Sequence, residues 1–267
     1  MKRTDLAMEA HAMWEKAAQG EQIAGVQMQT REQGALKIST LEIRSDEGAR
    51  SLGKPQGTYI TMELSSRHGA VRKQAAAQLA QAIRQMLGDV RGSILVVGLG
   101  NRMVTPDALG VRTVEQLLVT NHLSFPYLRP VMALCPGVQG QTGMESLAIV
   151  RGVVERTRPS QVIAVDALAA AEVNRIGTIV QLSDAGIHPG SGVGNRQAGF
   201  HKESLGVPVL SLGVPTVTDL GDAASGLIVT GADIDAAVEG MSKMLSQALN
   251  RALQPELSAE EIEEFVM

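Results

Sequence analysis

The rhythm of apolar and polar positions changes near residue 90. Before it, residues 24–30, 35–44 and 58–64 alternate apolar with polar, the two-residue period of half-exposed antiparallel strands. Gln33-Gly34 supplies a turn between the first two, and residues 68–87 follow as an amphipathic helix rich in Ala, Gln and Leu. Residues 1–20 read as helical from Asp5 on, with Leu6, Met13 and Trp14 among polar and small residues, behind roughly six loose terminal residues.

After residue 90 the pattern becomes strand, loop and helix repeated. The strands expected are 94–98, 131–134, 162–165, 178–182 and 207–212, and the helices are 111–123, 144–158 and 233–253. This alternation predicts an α/β fold with a mainly parallel sheet flanked by helices. The N-terminal third becomes an antiparallel β extension set beside that sheet. Residues 1–267 are expected to form one domain, with the meander and helix in 1–90 and the α/β core in 91–267. The acidic tail, PELSAEEIEEFVM, reads as a helical turn or two with a solvated or interface face.

Composition narrows the function. Apolar residues make up 44% of the chain but aromatics only 2%, so the core is aliphatic and stacking platforms for single-stranded nucleic acid are missing. A net charge of −4 gives no general attraction to DNA, and no direct nucleic-acid partner is expected. Cys135 is the single cysteine, which excludes an internal disulfide and fits a reducing, cytoplasmic setting. Neither a signal-peptide core nor an 18-residue uncharged apolar run occurs, so no membrane partner is expected.

The chemistry concentrates in two β-branched runs, ILVVGLGNRMVTPDALG (94–110) and QVIAVDALAAA (161–171), each leading to Asp-Ala-Leu. Ligands and catalytic groups of open α/β sheets gather beyond the carboxyl ends of the strands. Asp107 and Asp166 would meet there as a pair sharing a proton, able to activate water and protonate a leaving amine. Each Asp also has a plain reading: Asp107 beside Pro106 suits a helix start, and Asp166 suits a cap for the Ala-rich segment. Gly98-Leu99-Gly100-Asn101 argues against a dinucleotide loop, because Met103 stands where the third Gly belongs and Pro106 interrupts the helix start. Asn101 is then a hydrogen-bonding residue of the crevice.

SDAGIHPGSGVGN (183–195) reads as a Gly-rich active-site loop, and the lack of Gly-Lys-Ser/Thr excludes a Walker loop. Within it His188 could orient a carboxylate, bind metal or serve structure alone, and Asp184 is either a third acid or an anchor. PGVQGQTGMES (136–146) forms a second Gly-rich wall that suits presenting backbone N–H groups. Ser146 and Ser191 lack a nucleophile elbow, and Cys135, at a strand end, reads as a buried packing residue. Two rivals to the carboxylate pair remain. One is a metal-assisted hydrolase using Asp107, Asp166 and His188; the other is a catalytically silent small-molecule-binding α/β domain.

Thr4-Asp5-Leu6-Ala7, VVGLGN, VTPDALG, PGVQGQTGMES, AVDALAA and SDAGIHPGSGVGN together resemble the germination protease family of spore-forming bacteria, with gaps, across nearly the whole chain. That family is similar in fold to the hydrogenase maturation endopeptidases. The resemblance implies an endopeptidase that degrades small acid-soluble, DNA-protecting spore proteins at germination, working in the spore core as a homo-oligomer. It places the family's two essential aspartates on Asp107 and Asp166; Asn101, Asp184 and His188 are the supporting residues that the loops themselves suggest. The family has been classed as both a metallopeptidase and an aspartic-type peptidase; the paired carboxylates favour the latter, with no cofactor. Cleavage is expected after an acidic residue and before a medium apolar one. Thr4–Glu9 resembles the substrate motif, which implies self-processing between Asp5 and Leu6. Family members usually carry a longer N-terminal propeptide and a longer region after the strand at 207–212, whereas here the chain passes almost directly from Pro215-Thr216 to the last helix.

Overall fold

The computed structural model describes residues 3–18, 22–190, 198–220 and 227–266. Nine strands join in one sheet: β1 (Val26–Gln33), β2 (Leu36–Ile43), β3 (Gly57–Leu64), β4 (Ile94–Gly98), β5 (Val131–Leu134), β6 (Gln161–Ala170), β7 (Ile179–Ser183), β8 (Val209–Asp219) and β9 (Ile228–Val229). Their order is β1-β2-β3-β7-β8-β6-β4-β5, with β9 against β8. The helices are α1 (Ala7–Ala17), α2 (Asp46–Leu52), α3 (Gly69–Leu87), α4 (Leu109–Val114), α5 (Gln139–Thr142), α6 (Ser146–Thr157), α7 (Lys202–Leu205), α8 (Ile234–Leu253) and α9 (Ala259–Val266).

The sheet is mixed, which corrects the mainly parallel expectation. β5, β4, β6 and β8 run parallel, whereas β1, β2, β3 and β7 pair antiparallel and β7 joins β8 antiparallel. The N-terminal meander is therefore continuous with the main sheet: β7 returns beside β8 without a helical crossover and offers its other edge to β3. Burial follows from this arrangement. All five residues of β4 are buried, as a parallel strand covered on both faces must be, whereas β1 at the sheet's edge is exposed along nearly its whole length. On one face α3 and α8 cover the sheet, with Leu79, Ile83, Leu245 and Leu249 fully buried among β4, β6 and β8 residues. On the other, α6 packs Val150 and Val154 against Leu95, Val97 and Val162.

Three local departures have physical causes. Ser45 accepts the Gly48 N–H and Gly53 closes the helix in the left-handed region, forming α2 between two strands where periodicity had marked no element. The helix expected over 111–123 stops at Val114, because the next turn tightens to three-residue bonds and Asn250 of α8 takes the Leu118 N–H at 2.9 Å. Cys135 is exposed rather than buried: it follows the last residue of β5, the sheet's other edge. Among the described residues no helix is long and apolar enough to cross a membrane.

Candidate active site

Gly98 ends β4, and the chain makes a tight loop before a 3-10 turn at Thr105–Asp107. The loop needs its glycines. Gly100 has φ +105°, and a Cβ there would lie 1.9 Å from the Asp107 carbonyl oxygen. Gly110, in the first turn of α4, lets that helix pack directly on the strands, since a Cβ would sit 2.3 Å from the Val165 carbonyl oxygen. The loop closes on itself through the Asn101 N–H, which donates to the Asp107 carbonyl at 3.1 Å and to Asp107 Oδ2 at 2.8 Å. The Asn101 side chain is used elsewhere: its Oδ1 accepts from Met103 N–H and from Gln141 Nε2, joining the loop to α5.

Asp166 arrives differently. β6 does not stop at Val165 but runs on to Ala170, so Asp166 lies inside the strand and caps no helix. β4 ends level with Val165, and beyond that point β6 has β8 on one side only. Asp166 is 4% exposed, and its Oδ1 accepts the Ala167 N–H at 2.9 Å.

Both aspartates line one cavity of about 810 Å³. Its walls include Gln139 and Gly140 of α5, Pro189 and Gly190, Thr216 of β8, and apolar side chains of Val104, Val138 and Ile228. Burial raises the Asp107 carboxyl above the usual carboxylate range, against the pull of the Asn101 N–H. Asp166 is raised well above that range, first by burial and next by the Asp107 charge, with the Ala167 N–H opposing. A buried acid raised by the charge of a second acid is the electrostatic setting in which two carboxyls can share one proton.

The supporting residues disperse. His188 lines a second cavity of about 410 Å³ with Lys54, Tyr59 and Gln181. Its ring lies 5.9 Å from the His201 ring, and its pKa is lowered by burial, then by His201 and Lys54. Asp184 accepts the Thr58 N–H at 2.6 Å, tying the end of β7 to the start of β3, and is absent from both cavity walls. The acids and His188 thus divide between two cavities. Among the described residues no three His, Cys, Asp or Glu side chains are grouped to hold a metal ion. Residues 191–195 of the Gly-rich loop, with Ser191, lie outside the described residues.

The N-terminal segment is pinned, not loose. Asp5 N–H donates to the Ala169 carbonyl, and Ala169 N–H donates to Asp5 Oδ2, both at 2.8 Å. Leu6 and Ala7 are fully buried. The Gln181 amide brackets Leu6, donating to the Asp5 carbonyl at 3.2 Å and accepting the Ala7 N–H at 2.8 Å. Glu9, 4% exposed, accepts from Ala171 N–H at 2.7 Å and from the Thr4 hydroxyl, and pairs with Arg175 at 3.1 Å. Lys54 Nζ donates to the Thr4 carbonyl at 2.8 Å. Lys54, Gln181 and Thr216 escaped the sequence reading because each became relevant only through a contact between distant segments.

The germination protease family model matches residues 3–225. A germination protease of Geobacillus sp. (strain WCH70) is 45% identical over 239 residues, covering 81% of this chain and 63% of that protein. The Bacillus subtilis (strain 168) germination protease is 43% identical, over 84% of this chain and 65% of its own length. The germination protease of Caldanaerobacter subterraneus subsp. tengcongensis is 35% identical, over 99% of this chain and 98% of that protein. The chain accordingly spans less than two thirds of the Geobacillus and Bacillus subtilis relatives.

Proposed function

The chain belongs to the germination protease family, and on that premise we propose that it is an endopeptidase whose Asp107 and Asp166 together activate water. The observation that carries the reading is the placement of both carboxyls on one cavity wall, each raised above its ordinary range, with Asp107 raising Asp166. Asp166, buried more deeply and beside a like charge, keeps the shared proton and gives it to the leaving amine. Asp107, held by the Asn101 N–H, is the carboxylate that draws a proton from water. The Asn101 backbone N–H and side-chain Oδ1 are spent on the loop itself, which leaves its side-chain NH2 as a donor. Stabilisation of the oxyanion falls to the Asn101 side-chain NH2 and to backbone N–H groups of the wall that Gln139 and Gly140 form. No step requires a cofactor.

Small acid-soluble spore proteins are the proposed substrates, cut after an acidic residue in the spore core. Val104, Val138 and Ile228 on the cavity wall suit an apolar residue after the cut. Self-processing between Asp5 and Leu6 belongs to the same reading, but the segment must first leave its seat. Leu6 is fully buried and Gln181 holds the Asp5 carbonyl. Hydrolysis of an unstructured spore-protein peptide, followed by mass spectrometry across pH 5 to 8, tests the reading. No turnover at any pH would leave a silent binding domain. Intact mass in the same samples tests self-processing: loss of Met1–Asp5 is expected in the wild type and not in Asp107→Asn, and an unshortened chain that digests the peptide refutes it.

A further inference from the structure

The two cavities meet at Asp5 and Leu168, and what separates them is the chain's own Thr4-Asp5 laid along β6. A strand presents its backbone groups alternately to its two sides. Val162 N–H bonds to Pro208 at the β8 side, whereas the Val165 carbonyl accepts from Leu99 N–H at the β4 side. Ala167 and Ala169 therefore turn their backbone groups to the side that β4 has vacated, where the Ala167 N–H meets the Asp166 carboxylate and the Ala167 carbonyl faces the vacated edge. There Asp5 supplies one rung of a ladder through its N–H, while its carboxylate takes the Ala169 N–H in place of a backbone carbonyl. Lys54 reaches the same place from the loop after α2 and bonds the Thr4 carbonyl. Its pKa is lowered by burial and raised in turn by the charges of Asp5 and Glu9, so the ammonium is a desolvated cation facing acids.

We propose that the open edge of β6 from Ala167 to Ala169 binds an extended polypeptide as an added strand, with an acidic side chain held by the Ala169 N–H and Lys54 where Asp5 now lies. The inference rests on the peptidase reading and says where its substrate runs. Ala167 and Ala169 are two residues apart, about 7 Å along the strand, and Asp166 directly precedes Ala167. An acid seated at Ala169 lies three residues, about 10 Å, from Asp166, so the added strand runs on past Ala167 to bring a peptide bond to the dyad. Strand addition takes its affinity from main-chain hydrogen bonds, so it suits an unfolded chain and refuses a folded one. Asp5 must yield its seat, which makes the chain's own segment a competitor for the edge.

The experiment pairs two unstructured peptides that differ only by Glu or Gln before the cut, assayed on the full chain, Lys54→Met and Lys54→Arg. Hydrolysis and fluorescence-anisotropy binding are measured together, with thermal melting of each variant. The wild type is expected to favour the Glu peptide by at least tenfold in kcat/KM, mostly through KM. Lys54→Met should reduce that ratio below threefold, and Lys54→Arg should restore it. N-methylation of the acidic residue's backbone nitrogen should weaken binding at least tenfold while leaving its side chain intact. An unchanged Glu/Gln ratio in a folded Lys54→Met, or indifference to N-methylation, overturns the inference and leaves the peptidase reading standing. Charge-dependent binding lost in Lys54→Met without hydrolysis by any form overturns the peptidase reading alone. A wild type that neither binds nor cuts either peptide overturns both.

Discussion

Asp107 and Asp166 are each followed by Ala-Leu, yet the backbone delivers them in different ways. Asp107 stands nine residues past the end of β4, in a 3-10 turn braced by a glycine with φ +105° and by the Asn101 N–H. Asp166 is inside a continuous strand, buried, with its neighbour's N–H bonded to its carboxylate and the other acid's field upon it. One carboxyl is held by a loop that can be redesigned, the other by a sheet that cannot. Burial differs accordingly, and in the proposed mechanism so does the proton, which the deeper acid keeps. Identical tripeptides thus acquire different surroundings, and the proposed division into proton donor and base rests on that difference.

The largest expected effect breaks the pair outright. Asp107→Asn or Asp166→Asn should each lower kcat/KM by about a hundredfold or more, the usual cost of losing an acid or base, while circular dichroism stays unchanged. Either variant retaining a tenth of wild-type activity removes that residue from the chemistry. In the wild type, activity should fall at high pH as the pair loses its last proton and at low pH as Asp107 becomes protonated. Because both acids are raised, the whole bell lies above the ordinary carboxylate range. A profile flat between pH 4 and 8 contradicts the shared proton.

Next comes the brace that only Asp107 has. Gly100→Ala forces a Cβ against the Asp107 carbonyl and a side chain into left-handed backbone. It should displace Asp107, costing about 1–3 kcal/mol of stability and up to about a hundredfold in kcat through misplacement. Full activity in Gly100→Ala would show that the turn does not set the carboxyl's position.

The difference in burial also makes a prediction about stability. A carboxyl whose folded pKa is raised binds its proton more tightly folded than unfolded, so stability falls as pH climbs from the unfolded value through the folded one. Asp166→Asn removes that ionisation. The variant should melt above the wild type at pH 8, and the gap should close by about pH 4, where both forms are neutral. Asp107→Asn should show the same sign with a smaller gap, since Asp107 is less deeply buried and is less strongly raised. A larger gain in Asp107→Asn would reverse the assignment of proton donor and base.

Much of this was legible in the chain. The run ILVVG could only be a strand buried on both faces, and the two Asp-Ala-Leu segments did converge on one cavity. What periodicity could not show was where β6 would end: an Ala-rich stretch after an Asp reads equally as a helix start, and only pairing with β8 through Thr218 extends it as a strand. Nor could alternation reveal that β7 returns antiparallel, since strand direction depends on the connection 171–178, which holds a single 3-10 turn at Val173–Arg175. The pinning of Thr4–Glu9 could not be read from the sequence, because its anchors, Gln181, Ala169 and Arg175, lie more than 160 residues away. Asn101 bonds Asp107 through its backbone N–H, but the Gln141 amide that its side chain meets could not be read from the sequence.

His188 provides the smallest expected effect and the sharpest test of whether the pair is really a pair. A metal centre built from Asp107, Asp166 and His188 would need all three to face one ion. Instead His188 lines the cavity on the far side of Asp5, its ring beside His201, with its pKa lowered by burial. A neutral imidazole so placed can support the loop that carries Pro189 and Gly190 into the dyad cavity, and little more. His188→Ala should therefore change kcat/KM by no more than about threefold, well under the 10²–10⁴ that a general acid or base supplies. Dialysis against a chelator should leave wild-type activity unchanged, and added zinc should not raise it. If His188→Ala and chelation instead abolished activity together, and zinc restored only the chelated wild type, the two cavities would have to close on one ion during turnover. Asp107 and Asp166 would then be ligands rather than acid and base.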